Sequence, residues 1–178
     1  MRQLSLNNLK ATALCLLLLT FLASCGFSLR SNEVISSSYS SLALNLQQPN
    51  SEFAQQLRRA LLSSNVTLLD SDDLQSISDT PVLSVSAEQV NVQPVTVTPL
   101  ARAAQYEMRL SVTVSLVLDN QNLIDSENLM VQQVYYEDIE NIAGNLGEVE
   151  LIQTEMRRNL VNQLLRRLEA AEPVALAN

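Results

Sequence analysis

Three groups of residues in this chain could do chemistry. The first is a single thiol. Cys25 closes the run Leu22-Ala23-Ser24-Cys25-Gly26, directly behind small residues and an apolar stretch. That is the pattern of a bacterial lipobox, in which the thiol is lipidated and the Cys becomes the first residue of the mature chain. The second is a lone guanidinium. Arg102 is the only cation between Arg59 and Arg109, and it lies in the connection Pro94–Ala104 with two Pro and several β-branched residues. Two readings stay open for it: a solvated Arg on an exposed hairpin loop, or a loop tip that meets a hydrophobic partner while the guanidinium meets an anion such as phosphate. The third is a set of carboxylates, Glu107, Glu137, Asp138 and Glu140. Glycoside hydrolysis needs two acids about 5–9.5 Å apart, and nothing in this spacing selects a pair. These acids fit a solvated strand face and a loop. Asp70, Asp72 and Asp73 lack the Gly and the later Glu of a calcium loop and read as a polar turn.

Composition removes most other chemistry. The 178 residues contain no His and no Trp. His-based triads, Cys–His proteases and His-ligated zinc sites are therefore excluded. With only Gly26, Gly144 and Gly147 there is no Gly-rich phosphate loop, and no cofactor is expected. Beyond Ser24 the chain carries nine Arg and no Lys against nineteen acids, a net charge of −10. Nucleic acid is an unsuitable partner, because its binding needs clustered cations that displace counterions.

The thiol is positioned by an address. Arg2 and Lys10 form a positive n-region, and Ala11–Leu22 is an uncharged, Leu-rich run. As a helix it spans about 18 Å, short of the roughly 30 Å hydrocarbon core, so it reads as a secretory leader rather than a membrane span. Cys15 leaves with the leader and Cys25 becomes a thioether, which removes any disulfide within one chain. One acyl chain holds a protein only marginally, at about 0.8 kcal/mol per buried methylene, whereas two or three hold it durably. By resemblance to lipoprotein sorting in Gram-negative bacteria, Gly26 in place of Asp after the Cys implies the outer membrane. The expected organisation is a signal peptide over 1–24, a lipidated Cys and Ser-rich tether over 25–41, one domain over 42–168 and a flexible tail over 169–178.

The domain reads as mixed. Leu42, Leu44 and Leu46 alternate with polar or small residues in a short strand. Ser51 is a candidate N-cap for a helix from Glu52, whose Phe53, Leu57, Ala60 and Leu61 share a face. Asn65 is the expected stop, before a strand at Val66–Leu69. Leu83, Val85 and Ala87 keep one phase and Val90 and Val92 the other, a slip that predicts a β-bulge. Tyr106, Met108, Leu110, Val112, Val114, Leu116 and Leu118 alternate over a long strand with one buried face. Asp119–Asn122 turns the chain, and Ser126–Tyr136 returns. The last helix is expected over about Gly147–Leu168, with Ile152, Met156, Leu160, Leu164 and Leu168 as its stripe. The uninterrupted strand order favours an antiparallel meander. The expected fold is therefore α+β: a two-layer sandwich of two helices packed on one face of a mostly antiparallel four- to five-stranded sheet.

Three segments carry a more specific likeness. Cys25-Gly26-Phe27-Ser28-Leu29-Arg30 resembles the C-G-[aromatic]-x-L-R opening of the LPS-assembly lipoprotein family, LptE. Ala104-Gln105-Tyr106-Glu107-Met108 is similar to that family's A-E-Y-x-M strand. Glu155-Met156 followed by Asn162–Leu168 is similar to its closing helix, E-M…Q-L-[basic]-[basic]-L. The likeness covers about Leu42–Leu168. It implies a non-enzymatic outer-membrane lipoprotein that faces the periplasm and the lumen of a large β-barrel partner, LptD. There it would plug the barrel, help it assemble, and assist delivery of lipopolysaccharide to the outer leaflet. It also implies lipopolysaccharide binding through basic loop residues, a role that falls here on Arg102, near the family's basic position but out of strict register. The loop Asn141–Gly147, basic in some relatives, has no cation here. Two other classes remain as alternatives: a lipoprotein subunit of another envelope complex, and a periplasmic hydrolase of cell-wall glycan.

Overall fold

The domain begins on a strand–helix–strand unit. In this computed structural model, residues 38–70, 80–97, 103–136 and 142–171 are described. The chain divides into two units, Met1–Ser31 and Asn32–Asn178, and every described residue falls in the second. Strand β1 (Ser41–Leu46) leads to helix α1 (Glu52–Ser63), and β2 (Thr67–Asp70) returns beside β1. Ser51 caps the helix as the sequence predicts, its Oγ accepting from Ala54 N–H at 3.1 Å. At the other end Ser64 N–H donates to Ala60 O, and Asn65 takes a left-handed φ of 58° that turns the chain into β2. Asn tolerates that region because its short polar side chain bonds locally.

The rest of the sheet is built around one long hairpin. Strands β3 (Val82–Val85) and β4 (Gln89–Val97) precede β5 (Ala103–Leu118) and β6 (Gln121–Tyr136). Asp119 and Asn120, with φ of 49° and 61°, form the two-residue link between β5 and β6, the backbone that tight hairpins prefer. The closing helix α2 runs Ile142–Ala170.

The sheet corrects the sequence expectation. Among the described residues it has six strands and is mixed, not a mostly antiparallel sheet of four or five. β1 pairs in parallel with both β2 and β3, and only β3, β4 and β6 run antiparallel to β5. The cause is α1. A helix between two strands carries the chain back over the sheet, so the next strand repeats the direction of the first. The meander rule suits only β4–β5–β6.

The sixth strand comes from the slip in phase. Val85 faces Val114 and Gln89 faces Ser111, four steps along one strand against three along the other. One residue is thus extra, and the strand breaks at Ser86–Glu88. Side chains complete the interrupted ladder: Thr113 N–H donates to Ser86 Oγ at 2.9 Å, and Ala87 N–H donates to Gln47 Oε1 at 2.7 Å.

Both helices cover one face. Leu42, Leu44, Leu83, Leu110, Val112 and Leu116 pack with Phe53, Leu57 and Leu61 of α1 and Leu160, Leu164 and Leu168 of α2 in one buried cluster. Helix α2 starts at Ile142 rather than near Gly147, and Val149 and Ile152 pack against the core. Tyr39 is buried as well, and its hydroxyl donates to Ala171 O at the end of α2.

Candidate functional site

Cys25 and Arg102, the two residues singled out for binding, lie outside the described residues, as do Glu137, Asp138 and Glu140. The structure does describe the strands from which the Arg102 loop springs. Val97 of β4 faces Ala103 of β5, so residues 98–102 connect two paired strand ends. Below them Thr96 Oγ1 donates to Gln105 Oε1 at 3.0 Å. Pro94 faces Tyr106, and the Tyr106 and Tyr135 rings stack with centroids 5.6 Å apart. Stacking of this kind adds about 0.5–1.5 kcal/mol beyond area burial and braces the hairpin end. The strand ends on either side of residues 98–102 are therefore stiff.

Glu107 is committed elsewhere. On the face of the sheet away from the helices it accepts from Gln93 Nε2 at 3.1 Å and pairs with Arg109 at 2.6 Å. A carboxylate held by two donors on an open face is a poor general acid. The alternation Glu107-x-Arg109 already placed these two on one face in the sequence.

The densest charge cluster was not visible there. Arg157 of α2 forks onto Glu88, Nε to Oε2 and Nη2 to Oε1 at 2.9 Å each, and its Nη1 reaches Glu52 Oε2 at 2.6 Å. The Glu52 carboxylate also accepts from Thr154 Oγ1 at 3.2 Å. The hydrogen bonds from Arg157 to Glu88 hold the guanidinium above its ordinary pKa; burial opposes them, and the charges of Glu88 and Glu52 add to them. This cluster joins the start of α1, the break between β3 and β4, and the middle of α2. Its partners are so far apart in sequence that no spacing rule would find them. Every charge in it is satisfied, so it works as a brace.

The face of the sheet without helices is polar around β1, β3 and the middle of β5 and apolar at the far half of β6, where Met130, Val134 and Tyr136 are exposed. Asn45, Ser84, Thr113 and Ser115 line a shallow cleft across it, and Asn45 Nδ2 donates to Ser84 Oγ at 3.4 Å. Among the described residues no three or more Cys, Asp or Glu side chains converge as a metal site, and no helix is long and apolar enough to cross a membrane.

The fold of this domain is found in small bacterial lipoproteins. The rare lipoprotein B of Shewanella oneidensis superposes with a TM-score of 0.65 at 21% identity, covering 73% of this chain and 94% of that one. A lipoprotein B of Nitrosomonas europaea gives 0.65 at 15% identity, over 82% and 91%. These identities establish the fold alone. The family model LptE, lipopolysaccharide-assembly, matches residues 39–168, and the chain belongs to that family. The LPS-assembly lipoprotein LptE of Photorhabdus laumondii is 26% identical over 146 residues, 82% of this chain and 78% of that protein. The Yersinia enterocolitica relative of the same name is 23% identical over 156 residues, 88% and 73%. The chain is thus a lipopolysaccharide-assembly lipoprotein by family, and that family is not one of enzymes.

Proposed function

We propose that this protein is an outer-membrane lipoprotein, anchored through Cys25, that sits in the lumen of the LptD β-barrel. It plugs the barrel, helps it assemble, and assists insertion of lipopolysaccharide into the outer leaflet. The periplasm and the barrel lumen are its surroundings. The observation that carries the reading is the family match, which spans β1 to the end of the α2 stripe.

Physical features support it. A plug must hold its shape under sideways load, and this domain is cross-braced by Arg157 and by a β5–β6 hairpin of 16 residues per strand. At about 3.3 Å per residue each strand is roughly 50 Å long, longer than the hydrocarbon thickness a barrel encloses. Barrel interiors are polar, and the Ser, Thr and Asn face of the sheet suits a wet contact with such a wall. Arg102, next in sequence to the start of β5, is assigned the contact to a lipopolysaccharide phosphate.

The test is extraction of the envelope in mild detergent. The protein should co-purify with a much larger β-barrel whose mobility on gels changes with heating. Recovery of the protein as a lone monomer under conditions that preserve other barrel complexes refutes the plug role.

A further inference from the structure

Among the described residues the sheet has three strands with an unpaired side, and two of them are protected. β2 is only four residues long. β4 carries Pro94 and two irregularities of register, and short length, Pro and bulges are the usual defences of a sheet edge. β6 has neither Pro nor Lys, and its register shifts are confined to the part opposite Val114–Val117. From Asn128 to Tyr136 it is regular and uncharged.

The direction of its free backbone groups follows from two contacts. Thr113 bonds through N–H and C=O to Ser86, on the side away from β6, so its partner Asn128 turns its own pair outward. Independently, Gln163 Nε2 of α2 reaches Met130 O at 3.5 Å, which requires that carbonyl to face outward too. Asn128, Met130, Gln132, Val134 and Tyr136 therefore present their N–H and C=O along the edge. Gln163 is the only group bonded to this edge among the described residues. Met130, Val134 and Tyr136 leave 48%, 46% and 67% of their surface exposed.

Beside this edge runs a cleft of about 550 Å³ between β6 and the end of α2, lined by Asn128, Met130, Gln163, Arg166 and Arg167. Arg167 Nε lies 3.2 Å from Glu127 Oε1, without hydrogen-bond alignment. Arg166 is exposed and has no carboxylate partner among the described residues. A strand edge flanked by a helix with a cleft between them is the geometry by which an extended peptide is added to a sheet.

We propose that the β6 edge is a docking site for an extended segment of a partner protein. The segment runs antiparallel to Asn128–Tyr136, carries no cation, and ends in a carboxylate against Arg166 and Arg167. Antiparallel addition puts its C-terminal end at Asn128, which is where the guanidinium groups lie. The free Arg166 charge selects the acid, and the net charge of −8 on each chain disfavours a second copy as occupant. The inference rests on the edge and the cleft alone and holds whichever protein supplies the strand.

The test uses the full mature protein in detergent and a short labelled peptide of alternating Thr and Val with a C-terminal Asp. Four outcomes are expected. The peptide binds at least about tenfold more tightly than its Lys-terminated version. It slows hydrogen exchange at the amides of Met130, Gln132 and Val134. N-methylation of alternate peptide amides abolishes binding, and Arg166→Glu reverses the Asp-over-Lys preference while leaving the fold intact, since Arg166 is exposed. Equal binding of the N-methylated peptide, or protection that misses β6, overturns the proposal. So does a peptide-free dimer in sedimentation with those same amides protected, which would make the occupant a second copy.

Discussion

Replacing Arg157 by Leu tests whether the brace between α1, the β3–β4 break and α2 holds the domain in shape. The Arg157 side chain is 13% exposed and that of Glu88 11%, while Glu52 is 45% exposed. Removing the guanidinium strands the Glu88 carboxylate in a largely dry position, and breaking a buried pair from one side costs about 3–5 kcal/mol. The contact to Glu52 is half in water and adds no more than about 1 kcal/mol. We therefore expect Arg157→Leu to destabilise by about 3 kcal/mol, which for a domain of this size lowers Tm by about 6–12 °C. Glu88→Leu costs less, about 2 kcal/mol, because Arg157 keeps Glu52 and can extend toward solvent. The double variant should lie within about 1 kcal/mol of wild type, because apolar replacement of a whole buried pair is often neutral. Urea unfolding followed by circular dichroism gives all three values, with the slope checked for constancy. The raised pKa of Arg157 means that its contribution is complete below the ordinary Arg pKa and is lost only as pH rises through the raised value. The difference should therefore hold steady on the Arg side through the neutral range. A double variant that loses the sum of the single losses would show that Arg157 and Glu88 act independently, and the brace would not exist.

Other changes have simpler expectations. Ser51→Ala removes the side-chain acceptor of Ala54 N–H and should lower stability by about 1 kcal/mol in the same assay. Gly147→Ala should raise it by about 0.5–1 kcal/mol, because the position is inside α2 and an added Cβ meets nothing within 4 Å. Leu110→Ala, at a position with no exposed surface, should cost about 2–5 kcal/mol. Arg102→Glu should weaken lipopolysaccharide binding while leaving the barrel complex intact, and equal binding by both forms at low salt would retire the phosphate contact.

Local elements were legible in the sequence because they depend on neighbours. The Ser51 cap, the alternation of β5 and the α2 stripe each follow from residues within a few positions of one another, and each is found where the pattern puts it. The phase slip after Val85 was readable as an extra residue, although not its effect of making two strands out of one. The parallel pairs were misjudged because strand direction depends on the path between strands. The α1 crossover makes β1 and β2 parallel, whereas the run of later strands without a helix gives antiparallel pairs only among β3, β4, β5 and β6. The Arg157 cluster was out of reach, since an ion pair between α2 and the β3–β4 break leaves no periodicity.

The candidate site is less legible than the fold for a reason that bears on its function. Catalysis leaves a signature because it needs particular groups within bonding distance, and this chain has no His and a Glu107 already held by Arg109 and Gln93. A protein that works by fit needs only surfaces, and a contact face made of Ser, Thr, Asn and Gln has the same composition as a face that meets water. What separates the two is geometry that appears once the strands are paired. β4 carries Pro94 and an irregular register against β5, whereas the far half of β6 carries neither and runs beside two Arg. An edge left undefended in an isolated chain invites aggregation. An edge that a partner covers throughout the working life of the protein is under no such pressure, so the asymmetry between β4 and β6 marks the side on which this domain expects company.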